Sequence, residues 1–194
     1  MGSADDAGLW ARSRTGDGDA FAALYDRHRD RVFRHAARLV GNRHDAEDVL
    51  AAAFLELWRR RDDVRLVGGS VLPWLLVTAS NVARNLTRGT RRYRALLARL
   101  PREPDAADAA DLAFADDLGA VVDPALATAL RSLDHRDLHL VTLVALEGLP
   151  IAEAAELLHL SPAAAKSRLH RARLRLRDQL ADAPHPTFAL EAQP

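Results

Sequence analysis

The chain has 194 residues with 27 basic and 27 acidic side chains, so net charge alone indicates no polyanionic partner. It contains no cysteine, which excludes a disulfide framework, a thiolate zinc site and a cysteine nucleophile. Aromatic residues make up only 5% of a chain rich in alanine and leucine, a composition that favours helices. The N-terminus has no signal-peptide pattern and no apolar run is long enough for a membrane span. We therefore expect a cytoplasmic, all-α protein.

Charge is strongly segregated along the chain. Residues 84–102 contain seven arginines and no acid, and residues 103–123 contain seven acids and no base. Residues 166–177 contain six further bases and no acid. A solvated helix face normally mixes both signs to gain i,i+4 pairs, so these blocks indicate interaction surfaces.

The N-terminal half predicts a flexible tail over residues 1–16 and a helical domain over residues 17–100. Apolar residues recur at helical spacing in three segments, which predicts helices from about Asp19 to Gly41, Asp45 to Arg61 and Val71 to Leu100. Gly68 and Gly69 mark a loop before the third helix, and Gly89 is expected to bend or break that helix.

The C-terminal half predicts an acidic flexible linker, a second small helical domain and a tail. These segments cover residues 101–123, 124–182 and 183–194, and the last is expected to be disordered. The helices of the second domain are predicted over Pro124–Ser132, His135–Glu147, Ile151–Leu158 and Pro162–Leu180.

The last two of these helices have helix-turn-helix spacing. The turn is only His159-Leu160-Ser161, and Ser161-Pro162 is a strong helix-start signal. The second helix then presents hydrogen-bond donors that suit guanine edges and phosphates. They are Lys166, Ser167, Arg168 and Arg171. The alternative is an ordinary helical hairpin with a basic outer face.

No enzymatic motif is present. The sequence has no phosphate-cradling glycine loop, no metalloprotease motif and no serine-nucleophile elbow, so we predict a protein that is not an enzyme and needs no cofactor. His135 and His139 stand at i,i+4 beside Asp134, but without a further ligand we interpret them as a surface pair and predict no metal site.

Taken in order, several short motifs resemble the extracytoplasmic function (ECF) sigma factors of bacterial RNA polymerase. The resemblance covers residues 17–100, as region 2, and 124–180, as region 4. Its motifs are Phe21–Tyr25 with Val32; Ala46–Leu50 with Phe54 and Trp58; Trp74-Leu75, Ala79, Asn81, Ala83–Asn85 and Arg91-Arg92; Ile151–Ala155; and Lys166–Arg173.

The resemblance implies that region 2 recognises the promoter −10 element. The loop Val64–Val71 matches the segment that captures a flipped base, where Gly68 and Gly69 would leave room for close approach. Promoter contacts are implied for residues that share a face of the third helix and for the arginines that follow: Asn81, Arg84, Asn85, Arg88, Arg91 and Arg92. Region 4 would place Lys166, Ser167, Arg168 and Arg171 in the major groove of the −35 element.

The resemblance also implies binding to core RNA polymerase, through the clamp helices of β′ and the flap of β. The implied clamp contacts lie on the second helix, at Asp48, Ala51, Ala52 and Leu55. The family usually has Gln and Glu where this chain has Ala51 and Ala52, so two polar contacts are missing. An anti-sigma protein is a further expected partner, and the −7 linker is interpreted either as a nucleic-acid mimic inside polymerase or as a solubilising tether.

Two other functions remain open from the sequence. One is a helix-turn-helix transcriptional regulator, although no dimerisation element for paired half-sites is visible. The other is a sigma-like adaptor that binds a partner without efficient initiation, an alternative that rests on Ala51 and Ala52.

Overall fold

The computed structural model describes residues 5–40, 42–97 and 124–181, with side chains described for all of these except residues 90–97 and 124. Within these ranges the chain is helical, as predicted, and Val67 and Ser70 form an isolated β-bridge. The helices are α1 (Asp6–Arg14), α2 (Gly18–Leu39), α3 (Arg43–Arg59), α4 (Leu72–Leu97), α5 (Pro124–Ser132), α6 (His135–Leu140), α7 (Ile151–Leu157) and α8 (Pro162–Ala181).

The expectation of a flexible tail over residues 1–16 was wrong for α1. Asp5 caps this helix by accepting a hydrogen bond from the Gly8 N–H at 2.7 Å, and Leu9 and Trp10 are buried. The helix packs against α2. Since only two large apolar residues form its inner face, its apolar pattern is too weak to identify it in the sequence alone.

Helices α2, α3 and α4 form the core of the first domain, as the apolar spacing predicted. Leu24, Leu57 and Leu75 are fully buried, and Phe54 makes an edge contact with Tyr25 at a centroid distance of 4.8 Å. The expected interruption at Gly89 does not occur, because α4 continues through it to Leu97. Gly41, the predicted linker and the predicted C-terminal tail lie outside the described residues.

The second domain packs α5, α6 and α7 around α8. The predicted helix over His135–Glu147 is instead α6 followed by a π-helical turn, Val141–Leu146, in which the backbone is locally wider. Gly148 follows with φ of +73°, which ends the turn in a conformation that glycine adopts without a side-chain clash.

The two domains pack against each other. Helix α5 lies against α2, while α6 and the π-helical turn lie against α4. Buried residues from both domains form one apolar cluster, and Arg31 on α2 makes an ion pair with Glu147 next to the π-helical turn. This packing determines which functional surfaces are covered. Among the described residues, no helix has both the length and the apolar character that crossing a membrane requires.

Candidate nucleic-acid interface

A tight turn projects from the first domain immediately before α4. Val67 and Ser70 close it with two backbone hydrogen bonds of 3.1 Å, and Gly68 and Gly69 occupy its tip with φ of +58° and +76°. Both glycines are exposed. A residue with a side chain would be strained at either position, so glycine keeps the turn tight and its backbone open to close approach.

One face of α4 continues from this turn. Residues 74, 77, 81, 84, 85 and 88 follow helical spacing and therefore share that face. Trp74 and Val77 line a cleft of about 640 Å³ together with Gly68, which connects the face to the turn. Asn81, Asn85 and Arg88 are exposed further along the helix. The structure thus brings Gly68 of the turn and the exposed residues of this α4 face, Asn81, Asn85 and Arg88, to one side of the domain.

The remaining arginines of this surface differ in their surroundings. Arg84 is half-buried and lines a cavity of about 200 Å³ with Arg88, Arg131 and His135, between the two domains. Arg91 and Arg92 belong to α4, but their side chains lie outside those that the structure describes.

The second domain covers part of this surface. Helix α7 contributes Glu153 and Glu156 to the cleft that Gly68 lines, and Glu153 Oε2 would be 3.3 Å from a Cβ added at Gly68. Carboxylates therefore stand at the glycine turn, where a nucleic acid would bring its own negative charge. The carboxylates of Glu153 and Glu156 would repel the phosphates of a nucleic acid bound at this turn.

Helix α8 presents an exposed polar face at its N-terminal end. Ser161 caps the helix by accepting the Ala164 N–H at 3.2 Å, and Ala165 and Leu169 anchor the buried side. One side of α8 exposes three of the residues that the sequence predicts to contact the groove: Lys166, Ser167 and Arg171. His170 is exposed on the same face, at i+4 from Lys166. Sequence analysis missed it, although its spacing from Ser167 was a usable signal.

Arg168 lies on a different side of α8. Its Nη1 is 2.8 Å from Asp137 Oδ1, and Asp137 is buried. A second carboxylate, that of Asp134, lies 3.7 Å away, and Arg175 also approaches Asp137 at 3.5 Å. The structure therefore separates Arg168 from Lys166, Ser167 and Arg171, and directs its charge toward α6.

A third exposed surface lies on α3. Asp48, Ala51 and Leu55 are exposed and Ala52 is half-buried, at spacings that place them on one side of the helix. Leu55 is 56% exposed, which is high for a large apolar side chain. The Leu55 side chain is therefore accessible to a binding partner.

The histidine pair of α6 also differs from the sequence prediction. The rings of His135 and His139 lie 6.0 Å apart edge to face, but His139 is buried, so the interpretation as a surface pair was wrong. Burial, together with the nearby charges of His135 and Arg84, lowers the pKa of His139 to about 4. The packing of α6 on α4 buries this ring, and that packing is invisible in the local sequence.

Comparison with known families and proteins matches both domains. The family model of Sigma-70 region 2 matches residues 24–93, and that of Sigma-70, region 4 matches residues 124–176. RNA polymerase sigma factor CarQ of Myxococcus xanthus is 38% identical over 88% of this chain and 95% of its own length. ECF RNA polymerase sigma factor SigW of Bacillus subtilis is 27% identical over 87% of this chain and 93% of its own.

Solved structures agree with this comparison. The structure of CnrH in complex with the cytosolic domain of CnrY aligns with a TM-score of 0.61 and 29% identity, covering 92% of this chain and 99% of that one. The sigma factor RpoE in complex with the anti-sigma factor NepR from Bartonella quintana shares the fold, with a TM-score of 0.57 and 20% identity over 84% of this chain and 98% of that one.

Proposed function

Since this chain belongs to the ECF sigma factors of bacterial RNA polymerase, we propose that its glycine turn and α4 read the −10 element and that α8 reads the −35 element. A sigma factor binds core RNA polymerase and promoter DNA and directs transcription initiation. It is an initiation factor, so the chemistry of RNA synthesis belongs to the polymerase. The site of action is then the cytoplasm, at the nucleoid when polymerase is bound to DNA.

The observation that carries the −10 assignment is the continuity of the glycine turn with the polar face of α4. An extruded base needs a place with accessible backbone, which Gly68 and Gly69 offer at an exposed tip. Asn81 and Asn85 can then bond base edges. Arg84, Arg88, Arg91 and Arg92 are proposed to neutralise the phosphates of the same strand.

For the −35 element, we assign the readout to the exposed face of α8. Lys166, Ser167, His170 and Arg171 lie there together at the N-terminal end of the second helix of a helix-turn-helix. Arg168 we assign to a supporting role, since it holds α8 against α6 through Asp137.

Promoter binding on this scheme requires the domains to separate. Glu153 stands at the glycine turn and the second domain covers part of the α4 face, so the compact arrangement presents an incomplete DNA-binding surface. Binding to core polymerase would compensate for the interdomain contacts that are lost. The two domains can then engage DNA elements that are separated along the promoter.

The α3 surface is assigned to the clamp helices of the polymerase β′ subunit, and the flap of β is the proposed partner of the second domain. At the clamp, Ala51 and Ala52 provide little polar contact, so Leu55 is expected to supply much of the binding through apolar burial. An anti-sigma protein is a further proposed partner, because CnrH was solved with the cytosolic domain of CnrY.

The test is run-off transcription with purified core polymerase on a pool of upstream fragments from the host genome. We expect transcripts from discrete start sites only when the chain is added. Asn81→Ala should reduce initiation by an amount that depends on the −10 sequence of the promoter. Arg171→Ala should reduce it by an amount that depends on the −35 sequence. Arg29→Ala, an exposed arginine on α2, is the charge-matched control and should retain initiation.

Two other outcomes would contradict the proposal. Binding to core without initiation would favour a sigma-like adaptor, and the Ala51-Ala52 pair would be the first place to restore polar contacts. Binding to DNA without binding to core would favour a helix-turn-helix transcriptional regulator.

A further inference from the structure

A buried carboxylate outside both family matches is connected to the glycine turn. Asp6 lies on α1, before residue 24 where the region 2 match begins, and only 8% of its side chain is exposed. It belongs to neither the α4 face nor the α8 face. A buried carboxylate is unfavourable unless it is paired and hydrogen-bonded, so its partners indicate what it holds in place.

Asp6 has partners from two other segments of the chain, helix α2 and the glycine turn. Arg27 Nη1 lies 2.7 Å from its Oδ1, and His28 Nε2 lies 2.6 Å from its Oδ2. The hydroxyl of Ser70, the residue that closes the glycine turn, donates a further hydrogen bond to Oδ2. Burial opposes ionisation, but these partners outweigh it and hold the pKa of Asp6 below its ordinary value. The Asp6 carboxylate is therefore charged while it accepts the hydrogen bond from the Ser70 hydroxyl.

Ser70 transmits this contact to two elements that are proposed to bind DNA. Its backbone closes the turn on Val67, and its hydroxyl oxygen accepts the Leu72 N–H at 3.1 Å at the start of α4. One hydroxyl thus donates to α1 and accepts from α4, which fixes its rotamer. The free rotation that a two-glycine tip would otherwise allow is restricted at its C-terminal end.

We propose that Asp6 is a positioning residue for promoter recognition, holding the Gly68–Gly69 turn through Ser70 in the geometry that captures a −10 base. This proposal rests on the assignment of the turn to the −10 element. It adds α1 to the parts of the chain that determine specificity. The competing explanation is that Asp6 merely fastens α1 to α2 through Arg27 and His28, with no effect on the turn.

The experiment measures base preference in initiation and not stability alone. Run-off rates are measured with core polymerase on promoters in which each −10 base is replaced in turn, for the wild type and for Asp6→Asn. A fluorescent 2-aminopurine at the captured position reports base extrusion. We expect Asp6→Asn to reduce discrimination at one −10 position at least fivefold, with −35 discrimination and core binding retained.

Asp17→Asn is the matched control. Asp17 lies at the junction of α1 and α2, where it pairs with Arg12 and caps α2 through the Ala20 N–H, and neither of these partners belongs to the turn. The substitution makes the same chemical change within the same segment, and it should leave −10 discrimination intact. Equal loss of discrimination in Asp17→Asn would overturn the proposal.

Ser70 variants keep the proposal testable if Asp6→Asn does not fold. Ser70→Ala leaves Asp6 with Arg27 and His28, and should reproduce the loss of −10 discrimination, whereas Ser70→Thr retains a hydroxyl and should restore it. In a chain that folds with both changes, Asp6→Asn and Ser70→Ala should not be additive. Additive effects, or unchanged discrimination in Ser70→Ala, would overturn the proposal.

Gly68→Val distinguishes a failure of this proposal from a failure of the assignment of the turn to the −10 element. If Gly68→Val alters −10 discrimination and neither Asp6→Asn nor Ser70→Ala does, the turn reads DNA and Asp6 does not position it. If all three variants leave discrimination unchanged, the turn does not read the −10 element and the assignment itself fails.

Discussion

Glu153 on α7 faces Gly68 at the tip of the turn, close enough that a Cβ at Gly68 would lie 3.3 Å from its Oε2. The two residues belong to different domains, and the first is an anion at a surface proposed for DNA. The same interface carries the ion pair between Arg31 and Glu147. On the proposed assignment of the turn to the −10 element, the interdomain contact opposes DNA binding in two ways, by occupying the surface and by placing negative charge there.

Reversing the charge of Arg31 should weaken this interface. Arg31→Glu places two carboxylates opposite each other at Glu147, so the covered state loses an attraction and gains a repulsion. The Arg31 side chain is exposed but only 11% of the Glu147 side chain is, so the pair contributes about 1 kcal/mol, near the upper end of the range for surface pairs. We therefore expect a severalfold gain in affinity for a single-stranded −10 oligonucleotide without polymerase. Fluorescence anisotropy measures the affinity, and energy transfer between labels on α2 and α8 measures domain separation.

Arg43→Glu is the control for that experiment, because it changes net charge equally and disrupts contacts within the first domain, the Arg43–Glu47 pair and the position of Arg43 over the Phe33 ring. The comparison removes the general penalty of added negative charge on DNA affinity. Equal affinities and equal label distances for the two variants would show that the Arg31–Glu147 pair does not hold the domains together.

Replacing Gly68 by alanine should lower both stability and promoter opening. The φ of +58° costs a residue with a side chain about 1 kcal/mol, and Glu153 must also move. Urea unfolding measures the first effect and permanganate reactivity of −10 thymines the second. Gly18→Ala is the control, since Gly18 begins α2 with no atom within 4 Å of an added Cβ. A Gly68→Ala protein as stable as the wild type would contradict the observed turn geometry.

Arg168 and Arg171 should respond in opposite ways to alanine substitution. Arg168→Ala leaves the buried Asp137 without its 2.8 Å partner and should reduce the free energy of unfolding by about 1–3 kcal/mol. Arg171→Ala removes an exposed side chain, so we expect unchanged unfolding and weaker binding to −35 duplex. Unfolding and duplex binding are measured on both proteins. The assignment is reversed if Arg168→Ala loses DNA affinity at full stability.

The sequence predicted the fold well wherever an element has its own apolar face. Helices α2, α3 and α4 carry long apolar stripes, and the cap at Ser161 marks the start of α8, so their bounds agree with the structure within a few residues. Helix α1 lacks such a stripe. Its Asp6 is fixed by Arg27, His28 and Ser70, which are distant in the sequence, so no local pattern could reveal it.

In the candidate site, too, local features could be predicted from the sequence and tertiary contacts could not. Asn81 and Asn85, and likewise Lys166 and Ser167, are exposed where helical spacing placed them. The partner of Arg168 could not be predicted, because Asp137 reaches it only when α6 packs against α8. The contact of α7 with the glycine turn could not be predicted either, because it depends on how the two domains pack against each other.

Leu55 should contribute to polymerase binding without contributing to the fold. Its side chain is 56% exposed on α3, so Leu55→Ala should leave thermal unfolding unchanged. If Leu55 enters a pocket on the clamp, its loss should cost about 1–2 kcal/mol, or roughly tenfold in affinity for core polymerase. Leu146→Ala, at a leucine 40% exposed in the second domain, is the control for loss of surface apolar area. Equal core affinity in the two variants would argue against a clamp contact at Leu55.

Acid should destabilise the protein through its buried histidines. Burial, with Arg38 and His139 nearby, lowers the pKa of His35 to about 3, and the pKa of His139 is about 4. The unfolded chain binds protons as pH falls below 6.5, the ordinary histidine value, while the folded chain keeps both rings neutral. The stabilisation by these two neutral rings is therefore fully present above pH 6.5. It declines as the pH falls toward their pKa values in the folded protein, about 3 and about 4.

Lowering the pH from about 7.5 to about 5.5 should reduce the free energy of unfolding by about 1 kcal/mol for each of the two rings. Urea denaturation at both pH values measures this change. His35→Gln lowers baseline stability because the ring lies 2.8 Å from the Ser80 hydroxyl, but it should flatten the pH dependence. His170→Gln, at an exposed position on α8, should leave the slope as in the wild type. A slope unchanged in His35→Gln would mean that this ring is protonated in the folded protein, and would contradict its burial between α2 and α4.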